Sequence, residues 1–160
     1  MYEFNYHRPA SLDEAAKIAA DAEDRKLLAG GMTLIPSMKL RLASPSDLVD
    51  LGGVDGLNTI SVSADTVSIG AMTRHVAVNT SADVQKAIPA LAALAGGIGD
   101  PSVRNRGTMG GSVANSDPAA DYPAGVLGLG ATIETNSRKI AADDFFLDLF
   151  ETALAEGEII

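Results

Sequence analysis

The sequence predicts an α+β protein of two lobes: an α/β lobe over residues 1–53 and an α+β lobe with antiparallel strands over residues 54–160. Three observations predict it. Short apolar runs at 26–29 and 48–51 flank a stretch of helical spacing, and strand–helix–strand over this distance implies a small parallel sheet. From Asn58 the period changes to alternation, at 59–63 with 66–70 and again at 131–135 with 138–142, the mark of β-hairpins with one wet face. Between the hairpins, residues 72–95 are mostly apolar at helical intervals.

Taken in order, Phe4 to Pro9 is a short extended entry. Ser11-Leu12-Asp13-Glu14 is a capping box, after which Leu12, Ala15, Ala16, Ile18 and Ala19 give a helix one apolar face to about Ala22. Asp21 to Lys26 is a polar turn. Lys26 to Ala29 lacks alternation, so this strand is expected to be buried on both faces. It runs into Gly30-Gly31-Met32-Thr33 and a helix from Leu34 to Leu42 that should begin close to Pro36, because proline suits a first turn and damages a helix middle. Leu48 to Leu51 is a second buried strand. Ala64-Asp65 turns the first hairpin, and the helical stretch 72–95 should break near Ser81 and Pro89. Arg104 to Pro123 shows neither period. Within it Ser116-Asp117-Pro118 has the form of a helix start, continued by Ala124 to Leu129. Asn136-Ser137 turns the second hairpin, and Asp143-Asp144 fits a helix N-cap before Phe145-Phe146.

Composition narrows the function classes. The chain has 160 residues, 12 Lys and Arg against 21 Asp and Glu, and a formal net charge of −9. Nucleic acid and anionic membrane both call for a basic field, so neither is an expected partner. A single bound diphosphate is still compatible, since backbone dipoles hold one without lysines. With no cysteine, disulfides, zinc–thiolate sites and iron–sulfur ligation by thiolates are ruled out within this chain. The first residues lack the basic start and apolar run of a signal peptide, and no apolar stretch approaches the roughly 20 residues that span a bilayer. A cytoplasmic protein is the expectation.

Glycine carries the functional signal. Gly107, Gly110 and Gly111 fall within five positions ahead of the apparent helix start, and Gly30-Gly31 joins a strand to a helix in the other lobe. Glycine-rich segments can present a concave set of N–H groups to an anion, and a helix entered from such a segment adds its dipole. Neither segment matches G-x-G-x-x-G or the P-loop pattern. Two readings stay open from the residues alone: both are tight corners, or both face one cleft and share a dinucleotide diphosphate. His7 and His75 stand alone, without metal-ligand spacing, and fit structural or surface roles. No nucleophile–base or acid–base pair stands out, so no catalytic residue and no metal ligand is assigned.

Ala29-Gly30-Gly31-Met32-Thr33 with Met38-Lys39, and Asn105-Arg106-Gly107-Thr108-Met109-Gly110-Gly111-Ser112 through Asp117-Pro118-Ala119-Ala120-Asp121, closely resemble the FAD-binding (medium) subunits of molybdenum hydroxylases. Aerobic carbon monoxide dehydrogenases look nearest, with xanthine dehydrogenase flavoproteins as relatives. The likeness runs from Phe4-x-Tyr6-x-Arg8-Pro9 to Gly157-Glu158-Ile159-Ile160.

The resemblance implies a two-lobed FAD-binding fold of the vanillyl-alcohol-oxidase type, with FAD extended between the lobes. Ala29, Gly30, Gly31, Met32 and Thr33, with Thr108, Gly110, Gly111 and Ser112, would wrap the diphosphate. Asn115 and Asp117 would lie beside the flavin path and Asp121 near the ribose. Lys39 belongs to the first motif, with a solvated helix lysine as its plain alternative. The resemblance also implies a molybdopterin-binding large subunit and an iron–sulfur small subunit as partners, from which electrons reach FAD and then an external acceptor. Family members often carry a polar residue and Ser where this chain has Met32 and Thr33, and they continue beyond the position of Ile160 into a C-terminal domain. A reading from another class is a non-catalytic assembly module that docks the two partner subunits without FAD.

Overall fold

Strands β1 (Asn5–His7), β2 (Arg25–Leu28) and β3 (Asp47–Asp50) form a parallel sheet in the order β1-β3-β2 in the computed structural model, which describes residues 1–21 and 24–160. Helix α1 (Leu12–Asp21) precedes β2. The expected helix end at Ala22 and the turn through Glu23 lie outside the described residues. The Glu14 N–H donates to Ser11 Oγ at 3.2 Å, while Glu14 Oε2 accepts from the Ala10 N–H at 2.9 Å, so the capping box closes one residue early.

Helix α2 (Leu34–Lys39) crosses from β2 to β3, completing the expected strand–helix–strand unit. The burial expected of the Lys26–Ala29 strand is corrected: β2 is an edge strand with Lys26 exposed and its other residues half-buried. Full burial belongs to the central strand β3, where Leu48 and Val49 are covered. α2 also stops at Lys39 rather than Leu42, and Arg41 follows with a left-handed φ of 62°.

Both hairpins form as the alternation predicts. β4 (Ile60–Ser63) pairs antiparallel with β5 (Thr66–Ile69), and β6 (Thr132–Glu134) with β7 (Lys139–Ala141). Between them lie α3 (His75–Thr80), α4 (Ala82–Ala87) and α5 (Pro89–Gly97). Ser81 breaks the first pair by capping α4, its Oγ accepting the Val84 N–H at 3.3 Å, and Pro89 opens α5.

The aperiodic stretch from Arg104 to Pro123 needs correction, because most of it is helical. It holds the end of α6 (Pro101–Arg104), all of α7 (Met109–Asn115) and the start of α8 (Asp121–Gly128). Ser116 is the C-cap of α7, in the left-handed region at φ 48°, and not an N-cap. α8 begins four residues later than Asp117-Pro118 suggested, while Asp117 Oδ1 accepts the Ala119 N–H at 2.9 Å in a local turn. Near the end, α9 (Ala142–Phe145) has Asp143 and Asp144 inside its first turn rather than at its cap, and β8 (Phe146–Asp148) pairs with β9 (Glu151–Thr152).

Two apolar clusters hold these elements. The larger gathers α3, α4, α5, α7, α8 and the second hairpin around Val78, Tyr122, Val126 and Phe145. The smaller packs Ala15, Val49 and Leu51 with Ile159 from the far end of the chain. Ile159 is held there by a clamp on the turn of the second hairpin. Asn136 and Ile159 exchange bonds at 2.9 Å, and the buried Glu158 carboxylate takes two bonds at 2.9 Å from the Arg138 guanidinium. Thr135 and Ser137 hydroxyls and the Ala155 N–H complete its shell. Arg138 foremost therefore drives the Glu158 carboxyl far below the ordinary range, against the opposing pull of burial. Among the described residues no helix is long and apolar enough to cross a membrane.

Candidate functional site: a cleft between two glycine segments

A cleft of about 630 Å³ runs along the first glycine segment and α2, the second glycine segment with α7, and the C-terminal tail from Phe150 to Ile160. The two glycine segments touch. A Cβ on Gly30 would come within 2.2 Å of the Arg106 carbonyl oxygen and 2.8 Å of Gly107 Cα, and one on Gly111 would stand 3.3 Å from Ala29 Cβ. The second segment is anchored by an antiparallel bridge between Arg74 and Thr108 and by the His75 N–H donating to the Gly107 carbonyl at 3.1 Å.

The first segment offers donors. Gly31, at φ 75°, turns the chain from β2 into α2 in a conformation that favours glycine. Among the described residues no group accepts from the backbone N–H of Gly30, Gly31, Met32, Thr33 or Leu34, and no side chain caps α2. Five successive donors are thus left at the cleft wall, where a helix start adds positive potential. This is the chemistry a diphosphate requires, and the residues present fit a dinucleotide.

The second segment is built differently, which corrects the idea of two equivalent Gly-Gly turns. Gly110 and Gly111 lie in the first turn of α7, whose N-cap is Thr108. Met109 and Gly110 donate to the carbonyls of Thr73 and Ala71 at 2.9 and 2.8 Å, and Gly111 and Ser112 donate to Oγ1 and O of Thr108 at 3.2 and 3.1 Å. The backbone donors from Met109 to Ser112 are therefore engaged within the protein, and among the described residues only the Thr108 N–H of this segment's cleft-lining backbone has no acceptor. What this segment gives the cleft is closeness and side chains: the bare Gly110 backbone against Ala71, with the Ser112 hydroxyl and Asn115 amide on the lining.

Of the expected site residues, Ala29, Gly30, Gly31, Met32, Thr33, Thr108, Gly110, Gly111, Ser112, Asn115 and Asp117 all line the cleft. Lys39 and Asp121 do not. Lys39 is exposed in the last turn of α2, where a cation complements the helix dipole. Asp121 is exposed in the first turn of α8, and its charge acts on His75 and Tyr122.

His75 is the lining residue that sequence reasoning set aside. The residue is 4% exposed, and its ring stacks at a tilt on Tyr122 with centroids 5.3 Å apart. Neither His75 Nδ1 nor the Tyr122 hydroxyl has a partner among the described residues. Burial lowers the imidazole pKa, with the Asp121 charge opposing, so the ring is neutral at pH 7. Burial first and the Asp121 charge second push the phenol up. A lone histidine carries no sequence signal for such a place; only the contact of its strand-like entry with Gly107 reveals it. The tail residues Leu154, Glu158, Ile159 and Ile160 were likewise invisible locally, because they reach the cleft through the clamp on the second hairpin.

Comparison with known proteins agrees with this geometry. Residues 2–160 match the family described as FAD binding domain in molybdopterin dehydrogenase. The nicotine 6-hydroxylase medium subunit of Paenarthrobacter nicotinovorans is 42% identical over 97% of this chain and 56% of its own length. The carbon monoxide dehydrogenase medium chain of Hydrogenophaga pseudoflava is 41% identical over 98% of this chain and 56% of its own. Among solved structures, the Hydrogenophaga pseudoflava carbon monoxide dehydrogenase that lacks the Mo-pyranopterin moiety superimposes with a TM-score of 0.97 over 99% of this chain and 57% of that one, at 41% identity. Quinoline 2-oxidoreductase from Pseudomonas putida 86 gives 0.95 over the same shares, at 40% identity. The chain thus spans little more than half the length of the relatives it matches. With the glycine-lined cleft, the two-lobed mixed fold and this match over nearly every residue, the chain belongs to the FAD-binding domain family of molybdopterin dehydrogenases.

Proposed function

We propose that the chain is the FAD-binding portion of the medium subunit of a molybdenum-containing hydroxylase or dehydrogenase. The observation that carries this is the run of five unpartnered N–H groups from Gly30 to Leu34 beside the close-packed Gly107–Gly111 segment. In this reading the N–H groups hold the diphosphate, Ser112, Asn115 and Asp117 orient what lies along the second wall, and the clamped tail at Ile159 and Ile160 excludes water from the far end. Bound FAD supplies the electron exchange that no side chain here provides. Thr33 and Ser112 are hydroxyl donors within the cleft; Met32 contributes only its backbone.

Partners belong to the same proposal. A chain without cysteine cannot ligate iron–sulfur clusters through thiolates. An iron–sulfur small subunit and a molybdopterin-binding large subunit would deliver electrons to FAD, which passes them to an external acceptor. The subunit and medium-chain names of its relatives support this arrangement, and a cytoplasmic setting goes with it. Purification of the full-length gene product with its neighbours tests the reading. We expect a flavin absorption band and copurifying molybdopterin and iron–sulfur chains. A complex that assembles but stays colourless on FAD addition would leave the assembly-module reading instead.

A further inference from the structure

A second pocket, about 570 Å³, shares the wall of Ala29, Gly30 and Thr108 with the cleft but has a different chemistry. Three arginines line it, Arg8, Arg74 and Arg106, against the single carboxylate of Asp50. Asp50 is already engaged: its Oδ1 accepts the Gly52 N–H at 2.8 Å, and its Oδ2 accepts the Tyr6 hydroxyl at 2.5 Å and lies 3.9 Å from Arg8 Nε. Arg8 also donates to the Gly52 carbonyl at 3.3 Å. The guanidinium groups of Arg74 and Arg106 make no hydrogen bond or ion pair with any described residue, although the chain as a whole carries a net charge of −9. In the wall between them, the Thr73 hydroxyl is without a partner on a residue only 1% exposed.

We propose that this pocket is an anion site, taking a small ligand with two phosphate or carboxylate groups, held by Arg74 and Arg106 with Arg8 at its rim. Two unpaired guanidinium groups bring ten N–H donors and no acceptor, a set that matches paired oxyanions through forked hydrogen bonds. In a strongly acidic chain, other anions are repelled at long range, so binding depends on these local charges and weakens with salt. The donors are distinct from those of the diphosphate cradle, which are backbone groups from Gly30 to Leu34. The site therefore stands whether or not FAD fills the cleft.

The test is calorimetric titration of the purified full-length protein with inorganic pyrophosphate and, separately, with citrate, at low and at physiological salt. We expect saturable binding of one anion per chain, weakened at least tenfold in the Arg74→Gln/Arg106→Gln variant and severalfold in each single variant, with Tm and flavin content unchanged. Preference for pyrophosphate marks a phosphate ligand, and preference for citrate a carboxylate ligand. Three results would each overturn the proposal: no saturable binding of either anion, equal binding by the double variant, or complete displacement of pyrophosphate by FAD.

Discussion

Replacing Gly30 by Ala tests the contact on which the cleft depends. The added Cβ would lie 2.2 Å from the Arg106 carbonyl oxygen, 2.8 Å from Gly107 Cα and 2.9 Å from the Arg106 carbonyl carbon. All three are backbone atoms, so no side-chain rotation relieves the clash. Restoring an ordinary 3.4 Å contact requires the two glycine segments to part by about 1.2 Å. Overpacking of this kind costs about 1–3 kcal/mol, which for a domain of this size lowers Tm by roughly 2–12 °C. Because the segments that part are the cleft walls, FAD affinity should also fall by about tenfold, the equivalent of 1.4 kcal/mol. Gly128→Ala is the control: its Cβ would meet nothing within 4 Å, and helix α8 gains a better helix former there. The assay pairs thermal unfolding of the apoprotein with fluorescence titration of FAD. If Gly30→Ala unfolds and binds FAD like wild type, the close approach of the two segments is not what shapes the site.

Three further outcomes follow from the same geometry. Gly111→Asp puts a carboxylate beside Thr108 and Ala29 on the cleft wall, and FAD titration should show binding abolished; an acidic side chain in the first turn of α7 suits the helix dipole, so unfolding experiments should still report a folded protein. Glu158 has a depressed folded-state pKa, so its contribution to stability is present above the ordinary carboxyl value of 4.5 and is lost as pH falls below it. Urea midpoints measured down the acid range should drop more steeply for wild type than for Glu158→Gln, and parallel curves would count against the clamp. His75, a base with a lowered folded-state pKa, stabilises in its neutral form above pH 6.5 and loses that contribution as pH falls below it. NMR titration should show its ring less than half protonated at pH 6.5, and a half-titrated ring at that pH would contradict its burial.

How much of this was legible in the sequence depended on whether the stabilising contacts were local. Hairpins 60–69 and 132–141 announce themselves because one face is wet and alternation survives. Ser81 and Pro89 break the helical stretch where their own chemistry dictates. Helix α7 was hidden, because two glycines in its first turn remove the apolar stripe, and its N-terminus is held by the distant carbonyls of Ala71 and Thr73. The same glycines read as a turn offering N–H donors or as a tight corner, whereas they lie in a helix with their N–H groups bonded within the protein. Residues 29–33 resemble a family segment expected to wrap a diphosphate, yet nothing local shows that the donors from Gly30 to Leu34 are free while those from Met109 to Ser112 are engaged. The tail reaches the first sheet through the Arg25–Glu156 ion pair and the packing of Ile159 on Val49, and Glu158 and Asn136 tie it to the second hairpin, all contacts 20 or more residues apart in sequence.

In the proposed function, backbone N–H groups from Gly30 to Leu34 hold the FAD diphosphate while those of Met109 and Gly110 do not. Amide hydrogen exchange of the full-length protein with and without FAD measures this directly. Protection should rise at Gly30, Gly31, Met32, Thr33 and Leu34 on FAD addition and stay unchanged at Met109 and Gly110, already bonded to Thr73 and Ala71. Unchanged exchange from Gly30 to Leu34 under saturating FAD would contradict the account.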